Sequence, residues 1–221
     1  MLRTYTSESV TDGHPDKLAD QISDAIVDRV LAENPDGAAA VDTFLCGDDI
    51  IFTGAVDGGI TFDLYEVARQ IIGYAGYVVP NSAIEYRSIN VIPRICSRKM
   101  DVFRYSEPSP GGAIYGYACN ETPELMPLPT MLAHKLARLI MEDGRNLIDD
   151  MRPESSVQVS VDYENDKPKR IRSVFVSVQC YYDTSKEDFV EDVHNFVARA
   201  LPPEYVDDET EVIVQSYDEL D

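Results

Sequence analysis

Gly13-His14-Pro15-Asp16-Lys17 brings an imidazole, a carboxylate and an ammonium together around a proline. Proline suits the first position of a helix, because the N–H it lacks would be unpaired there anyway. His14 then sits at the cap, with Asp16 and Lys17 in the first turn. Free backbone N–H groups and the positive end of the helix dipole favour a phosphate at such a turn. His14 and Lys17 can add charge-assisted hydrogen bonds, and Asp16 can hold Mg²⁺. The pattern describes a candidate polyphosphate site. By itself it is only moderately specific, since a helix also opens with Pro-Asp-Lys for capping alone.

The elements that must hold this turn are legible on both sides of it. Thr6 to Asp28, TSESVTDGHPDKLADQISDAIVD, reads as a short strand, a polar turn and a periodic helix. Leu18, Ile22, Ala25, Ile26 and Val30 recur at helical spacing, so a helix from Pro15 to about Ala32 buries one stripe. Asp16, Asp20, Asp24 and Asp28 recur every fourth residue on another face. Like charges one turn apart repel, so Asp20, Asp24 and Asp28 read as a solvated face, and only Asp16 meets the helix dipole.

Further along, Ala38 to Leu45 and Ile50 to Val56 alternate as a hairpin around Gly47-Asp48-Asp49. Phe62 to Tyr77 is a helix ended by Gly76 and Pro80, and Ser88 to Ile95 an inner strand. Arg98 to Gly112, rich in proline and glycine, reads as a loop and boundary. Gly111-Gly112 in that loop reads as a turn. Ile114 to Cys119 is a short strand or turn, and Pro129 to Met141 a helix with Leu132, Leu136, Leu139 and Ile140 inward. Val157 to Tyr163 and Ile171 to Tyr181 form a second hairpin across Glu164 to Pro168. A helix through Phe189, Val193, Phe196 and Val197 ends at Pro202-Pro203, and Glu211 to Gln215 is a last strand before an acidic end. His134 and His194 read as packed or surface histidines.

Both halves thus share the order hairpin, helix, returning strand. This weak repeat argues for an α+β fold of two similar units, 1–105 and 106–221, each a mixed sheet with helices on one face. The other face must be covered by something else.

The 221 residues can bury a sizeable core, and 44% hydrophobic content is that of a globular chain. A formal charge of −21, from 40 acidic against 19 basic residues, argues against phosphate-backbone binding and so against nucleic acid as a partner. No apolar run approaches the roughly 18 residues of a membrane span, and no leader-like segment opens the chain, so a cytoplasmic location is expected. Cys46, Cys96, Cys119 and Cys180 are far apart and read as reduced, mostly buried thiols.

The segment from Thr6 to Asp28 resembles the signature of the S-adenosylmethionine synthetases (methionine adenosyltransferases), whose GHPDK turn binds ATP. Tyr115 to Thr122 is similar to the family's FGYATNET, followed in the same way by Leu125-Met126-Pro127-Leu128-Pro129 and Ala133-His134. The resemblance implies the family's fold of related units with pseudo-threefold symmetry, with the open sheet faces forming the dimer interface. It implies His14 and Lys167 as catalytic residues, His14, Pro15, Asp16 and Lys167 as ATP-binding, and Asp16 as the Mg²⁺ ligand. Lys167 is assigned through the turn Asp166-Lys167, which falls where the family has Asp-Gly-Lys. Asp42 stands for the family's potassium-associated glutamate on a shorter arm, which makes K⁺ the second cation of the expectation.

Three positions depart from the pattern. Ala55 stands where the family has a glutamate, Arg98 where it has a glutamine, and Pro110 where it has an aspartate. By the resemblance, all three hold methionine, and an alanine or proline side chain cannot partner an ammonium. The chain ends where a third unit would begin. Because the losses fall on one set of residues only, the expected function is that of one subunit in a hetero-oligomeric synthetase. It would give the ATP-triphosphate side of a shared site, with a longer synthetase-like subunit across the sheet face. Two readings stand beside it: a non-catalytic regulatory or scaffolding subunit, and an adenosyl transferase for another nucleophile with Arg98 recognising an anion.

Overall fold

The structure is a computed structural model that describes residues 2–78, 84, 86–98, 113, 115–181 and 184–217. The described elements are β1 (Leu2–Val10), α1 (Pro15–Glu33), β2 (Ala39–Cys46), β3 (Asp49–Val56), α2 (Leu64–Ala75) and β4 (Asn90–Ser97). After these come α3 (Leu128–Leu139), α4 (Arg145–Leu147), β5 (Met151–Glu164), β6 (Lys167–Cys180), α5 (Lys186–Ala200) and β7 (Glu211–Tyr217). They divide into two compact units, Pro15–Tyr115 and Met1–His14 with Gly116–Asp221.

In the Pro15–Tyr115 unit the sheet order is β2-β3-β4, antiparallel then parallel. Leu18, Ile22 and Ile26 of α1 and Val67, Ala68 and Ile72 of α2 bury against Val41, Ile50, Phe52 and Val56. Strand alternation turns the other side chains outward, so Phe44, Asp42 and Ala40 stay exposed. Asp63 caps α2, its carboxylate accepting from the Tyr65 N–H at 2.9 Å, and Gly76 ends it in the left-handed conformation.

The second unit repeats this plan. Its sheet order is β1-β5-β6-β7, with β5–β6 antiparallel and β6–β7 parallel, so the hairpin, helix and returning strand recur in the same arrangement. Val157, Val159, Val161, Val174, Val176 and Val178 bury against Leu132 and Leu136 of α3 and Phe189, Val193 and Val197 of α5. The turn between β5 and β6 is two residues, Asn165 and Asp166, at φ 54° and 60°, the geometry whose twist suits a tight hairpin. The expected α+β class with helices against mixed sheets is what the chain forms.

Three differences from expectation have simple causes. A boundary near residue 105 gives all of the first strand to the first unit, but β1 pairs antiparallel along its whole length with β5 and belongs to the second. Helix α3 stops at Leu139 and passes through a wide π turn, Ile140–Gly144, into α4, leaving Leu139 half-buried. Cys46 and Cys96 are exposed, because alternation along β2 and β4 turns them away from the helices; Cys119 is half-buried, Cys180 is buried, and all four are free thiols.

Candidate functional site

The turn from Thr11 to His14 is fastened to the start of β5. The Thr11 N–H donates to the Ser155 carbonyl at 2.9 Å, and the Thr11 hydroxyl donates to the Pro153 carbonyl at 2.7 Å. The same hydroxyl accepts from the Ser155 N–H at 2.9 Å. Thr11 is buried, so these bonds form away from competing water. The His14 N–H then donates to the Thr11 carbonyl at 3.0 Å and closes the turn. Gly13 lies so tightly on Pro153 that a Cβ there would come within 2.4 Å of the proline Cβ and 2.5 Å of its carbonyl oxygen. Only glycine fits. Pro15 begins the helix, as its fixed φ and missing N–H suggest, with Asp16 and Lys17 exposed in the first turn and His14 half-buried before it.

A carboxylate that sequence reading missed stands beside His14. Between the pairs Met151–Cys180 and Ser155–Val178, three residues of β5 face the single residue Gln179 of β6. This bulge carries Arg152, Pro153 and Glu154. Burial pushes the Glu154 carboxyl up from the usual carboxylate range, while the nearby charge of His14 and a hydrogen bond from Tyr217 pull it back. The Tyr217 hydroxyl is held protonated by the same surroundings, burial first and the Glu154 charge second. A proline inside a strand pattern is the one sequence mark of such a bulge. Its partner, at the far end of the chain, left no mark at all.

Lys167 does not join this cluster. It pairs with Glu164 beyond the hairpin turn, and ten residue steps of β5 separate Glu154 from Glu164. At ~3.3 Å per residue that is on the order of 30 Å along the sheet, so His14 and Lys167 cannot grip one triphosphate. Within one chain the two residues are kept apart by strand length. The hairpin reads as starting at Val157, but β5 begins at Met151, and the extra length carries the turn away from the His14 end.

Asp42 is exposed on β2, paired with Thr53, which in turn pairs with Arg94. Ala55 pairs with Ala40 and Cys96 in the next row of the same face. Arg98 is exposed just past β4, its N–H donating to the Val56 carbonyl at 3.2 Å. Pro110 lies outside the described residues. His134 is exposed on α3 and hydrogen-bonds Ser9 at 2.9 Å through Nδ1; His194 is exposed on α5.

Among the described residues no group of three or more histidine, cysteine, aspartate or glutamate side chains is assembled to hold a metal. Mg²⁺ asks for less than that, since it commonly takes one or two carboxylates and fills its remaining positions with substrate phosphate and water. Asp16, exposed beside a phosphate-favouring helix end, fits that demand. Asp42 by itself does not make a cation cage. No helix among the described residues is long and apolar enough to cross a membrane.

Two units with the same order of hairpin, helix and returning strand define a class of repeated α+β domains. The central-domain model of S-adenosylmethionine synthetase matches residues 109–220 and the N-terminal-domain model matches residues 3–99, so the chain belongs to the S-adenosylmethionine synthetase family. It is 32% identical over 227 residues to the S-adenosylmethionine synthase of Syntrophobacter fumaroxidans, covering 96% of this chain and 58% of that protein. It is 35% identical over 219 residues to that of Helicobacter pylori strain HPAG1, covering 95% and 57%. The chain therefore spans a little over half the length of these curated relatives.

Proposed function

We propose that this chain is one subunit of a hetero-oligomeric S-adenosylmethionine synthetase, supplying the Mg²⁺–ATP side of a site that a longer synthetase-like chain completes. The observation that carries the reading is the contrast between two stretches. His14 closes a turn that buried hydrogen bonds of Thr11 hold to β5, and Asp16 follows it in the sequence. Ala55, where the family resemblance puts a methionine-binding glutamate, offers nothing to an ammonium group.

In the reaction so proposed, the methionine sulfur lone pair forms a bond to C5′ of ATP. The C5′–O bond breaks, and its electrons leave with the triphosphate. No protein nucleophile and no proton transfer are required, so the protein's share is positioning and charge stabilisation. His14 donates a hydrogen bond toward the leaving oxygen, and the N–H groups of the first turn of α1 face the phosphates. Asp16 would hold Mg²⁺, which supplies charge neutralisation on the phosphate oxygens.

Co-expression with a full-length synthetase-like partner, followed by an S-adenosylmethionine assay, tests this. The complex is expected to turn over, the lone chain is not, and His14→Ala in the complex should lower kcat more than it raises KM. Turnover by the lone chain, or a complex indifferent to His14→Ala, ends the reading. The distance of Lys167 from His14 keeps the two from sharing one triphosphate within this chain, which supports a second reading, a regulatory subunit that keeps the turn for nucleotide affinity alone. A complex that assembles and keeps full activity with His14→Ala would establish it.

A further inference from the structure

The β5 bulge is the least economical place in its sheet. Gln179, 4% exposed, leaves its Oε1 without a hydrogen-bond partner, and the buried Ser155 hydroxyl is also unpartnered. A regular ladder would not need three residues opposite one. Bulges of this kind re-aim a side chain, and here the re-aimed chain is Glu154.

Pro153 and Ser155 are buried and Glu154 is half-buried between them. Its backbone neighbour Pro153 is the residue against which Gly13 packs, which brings His14 close enough for its charge to act on Glu154. On the other side of the bulge, Gln179 is in register with Tyr217 of β7, which brings the Tyr217 hydroxyl to Glu154. Three segments distant in sequence thus meet at one carboxylate. A carboxylate fixed by a second hydrogen bond is the usual means of setting the orientation of a histidine ring.

We propose that Glu154, steadied by the Tyr217 hydroxyl, is the positioning residue that sets the orientation of His14, a role that rests on the phosphate-side reading above. Glu154 itself touches no reacting atom. It acts through His14, and Tyr217 acts through Glu154.

The first test needs no activity. The chain has three histidines, so the ring cross-peaks of His14, His134 and His194 separate readily in a carbon–proton NMR spectrum of the whole chain, with His14→Ala giving the assignment. Glu154→Gln, which keeps the shape and removes the charge, and Tyr217→Phe should each move the His14 peak and leave the other two in place. A His14 peak unmoved by both variants overturns the proposal. The second test uses the active complex. Glu154→Gln should lower kcat tenfold to a hundredfold, about the loss seen when an outer partner of a working histidine is removed, with the KM for ATP within about twofold. Glu154→Asp should recover part of the loss. In a His14→Ala background Glu154→Gln should cost nothing further, and an equal loss in that background refutes the role. If the ring peak moves but no complex makes S-adenosylmethionine, the proposed function falls and the positioning of His14 stands.

Discussion

Gly13 and Gly54 let two stretches of backbone approach more closely than any other residue allows, one in each unit. A Cβ at Gly13 would meet Pro153 at 2.4 Å; at Gly54 it would meet the Ala40 carbonyl oxygen at 2.0 Å. Gly54 also sits at φ 127°, open only to glycine at little cost. The residues next in the chain set the two contacts apart. After Gly13 comes His14, whose charge acts on a half-buried carboxylate that a tyrosine hydroxyl holds. After Gly54 comes Ala55, opposite Ala40. The repeated fold therefore supplies a close backbone contact twice, and ionisable chemistry was built on one copy only.

Substitutions at the two glycines put that comparison at risk most directly. Gly54→Ala adds both backbone strain and a clash with a carbonyl that is fixed in the β2–β3 ladder. It should destabilise the Pro15–Tyr115 unit by about 3 kcal/mol or more in urea unfolding followed by circular dichroism. A loss under about 1 kcal/mol would mean that β2 and β3 slide apart freely, and the likeness to Gly13 would be lost. Gly13→Ala carries no positive-φ cost, so its effect should be smaller, about 2 kcal/mol. It should also weaken Mg²⁺–ATP binding by the partnered complex roughly tenfold, because the turn bearing His14 must move. Stability loss without weaker nucleotide binding would separate the clamp from the chemistry.

Carboxylates sharpen the contrast at the next level down. Asp162, buried in the β1-containing unit, accepts from Thr4 Oγ1 at 2.7 Å and from Arg170 Nε at 3.1 Å, with Arg172 at 3.6 Å. Burial alone would raise its carboxyl, but these partners outweigh burial and hold it below the usual range. A carboxyl depressed in the folded state gives stability that is present above its unfolded value, about 3.9, and lost as pH falls through the folded one. Asp162→Asn should thus cost about 1–2 kcal/mol at neutral pH and flatten the loss of stability below about pH 4. Glu66 of α2 is also lowered, by Arg69 first and Gln70 second, but it is open to solvent. Glu66→Gln should leave the acid limb of the same unfolding curve where it was.

What could be read in the chain beforehand was what short-range pattern encodes. The period of Leu18, Ile22, Ile26 and Val30 gives α1, and Pro15 gives its start; alternation gives both hairpins, and their order gives the repeat. The pairing of Leu2–Val10 with β5 could not be read, because a partner some 150 residues away leaves no periodicity in either strand. Glu154 was hidden for the same reason. Its significance arises from Gly13 on one side and Tyr217 on the other, and only Pro153 hints locally that β5 departs from a plain ladder. The second hairpin is legible from alternation, but its turn is the two residues Asn165 and Asp166, and β5 starts at Met151, six residues before the alternation begins.

Lys167→Ala carries the smallest expected effect and tests that last point. The residue is exposed at the start of β6, next to a tight turn whose conformation is set by Asn165 and Asp166. The neighbouring ion pairs, Lys169 with Glu164 at 3.1 Å and Arg3 with Asp166 at 3.7 Å, do not involve it. Stability should change by less than about 0.5 kcal/mol, as for most surface substitutions. If one triphosphate is held at the His14 end of β5, the affinity of the partnered complex for Mg²⁺–ATP should also be unchanged. A large loss of affinity would require a second phosphate-binding locus at the hairpin end of this sheet, and the assignment of all nucleotide chemistry to the Gly13 turn would then be wrong.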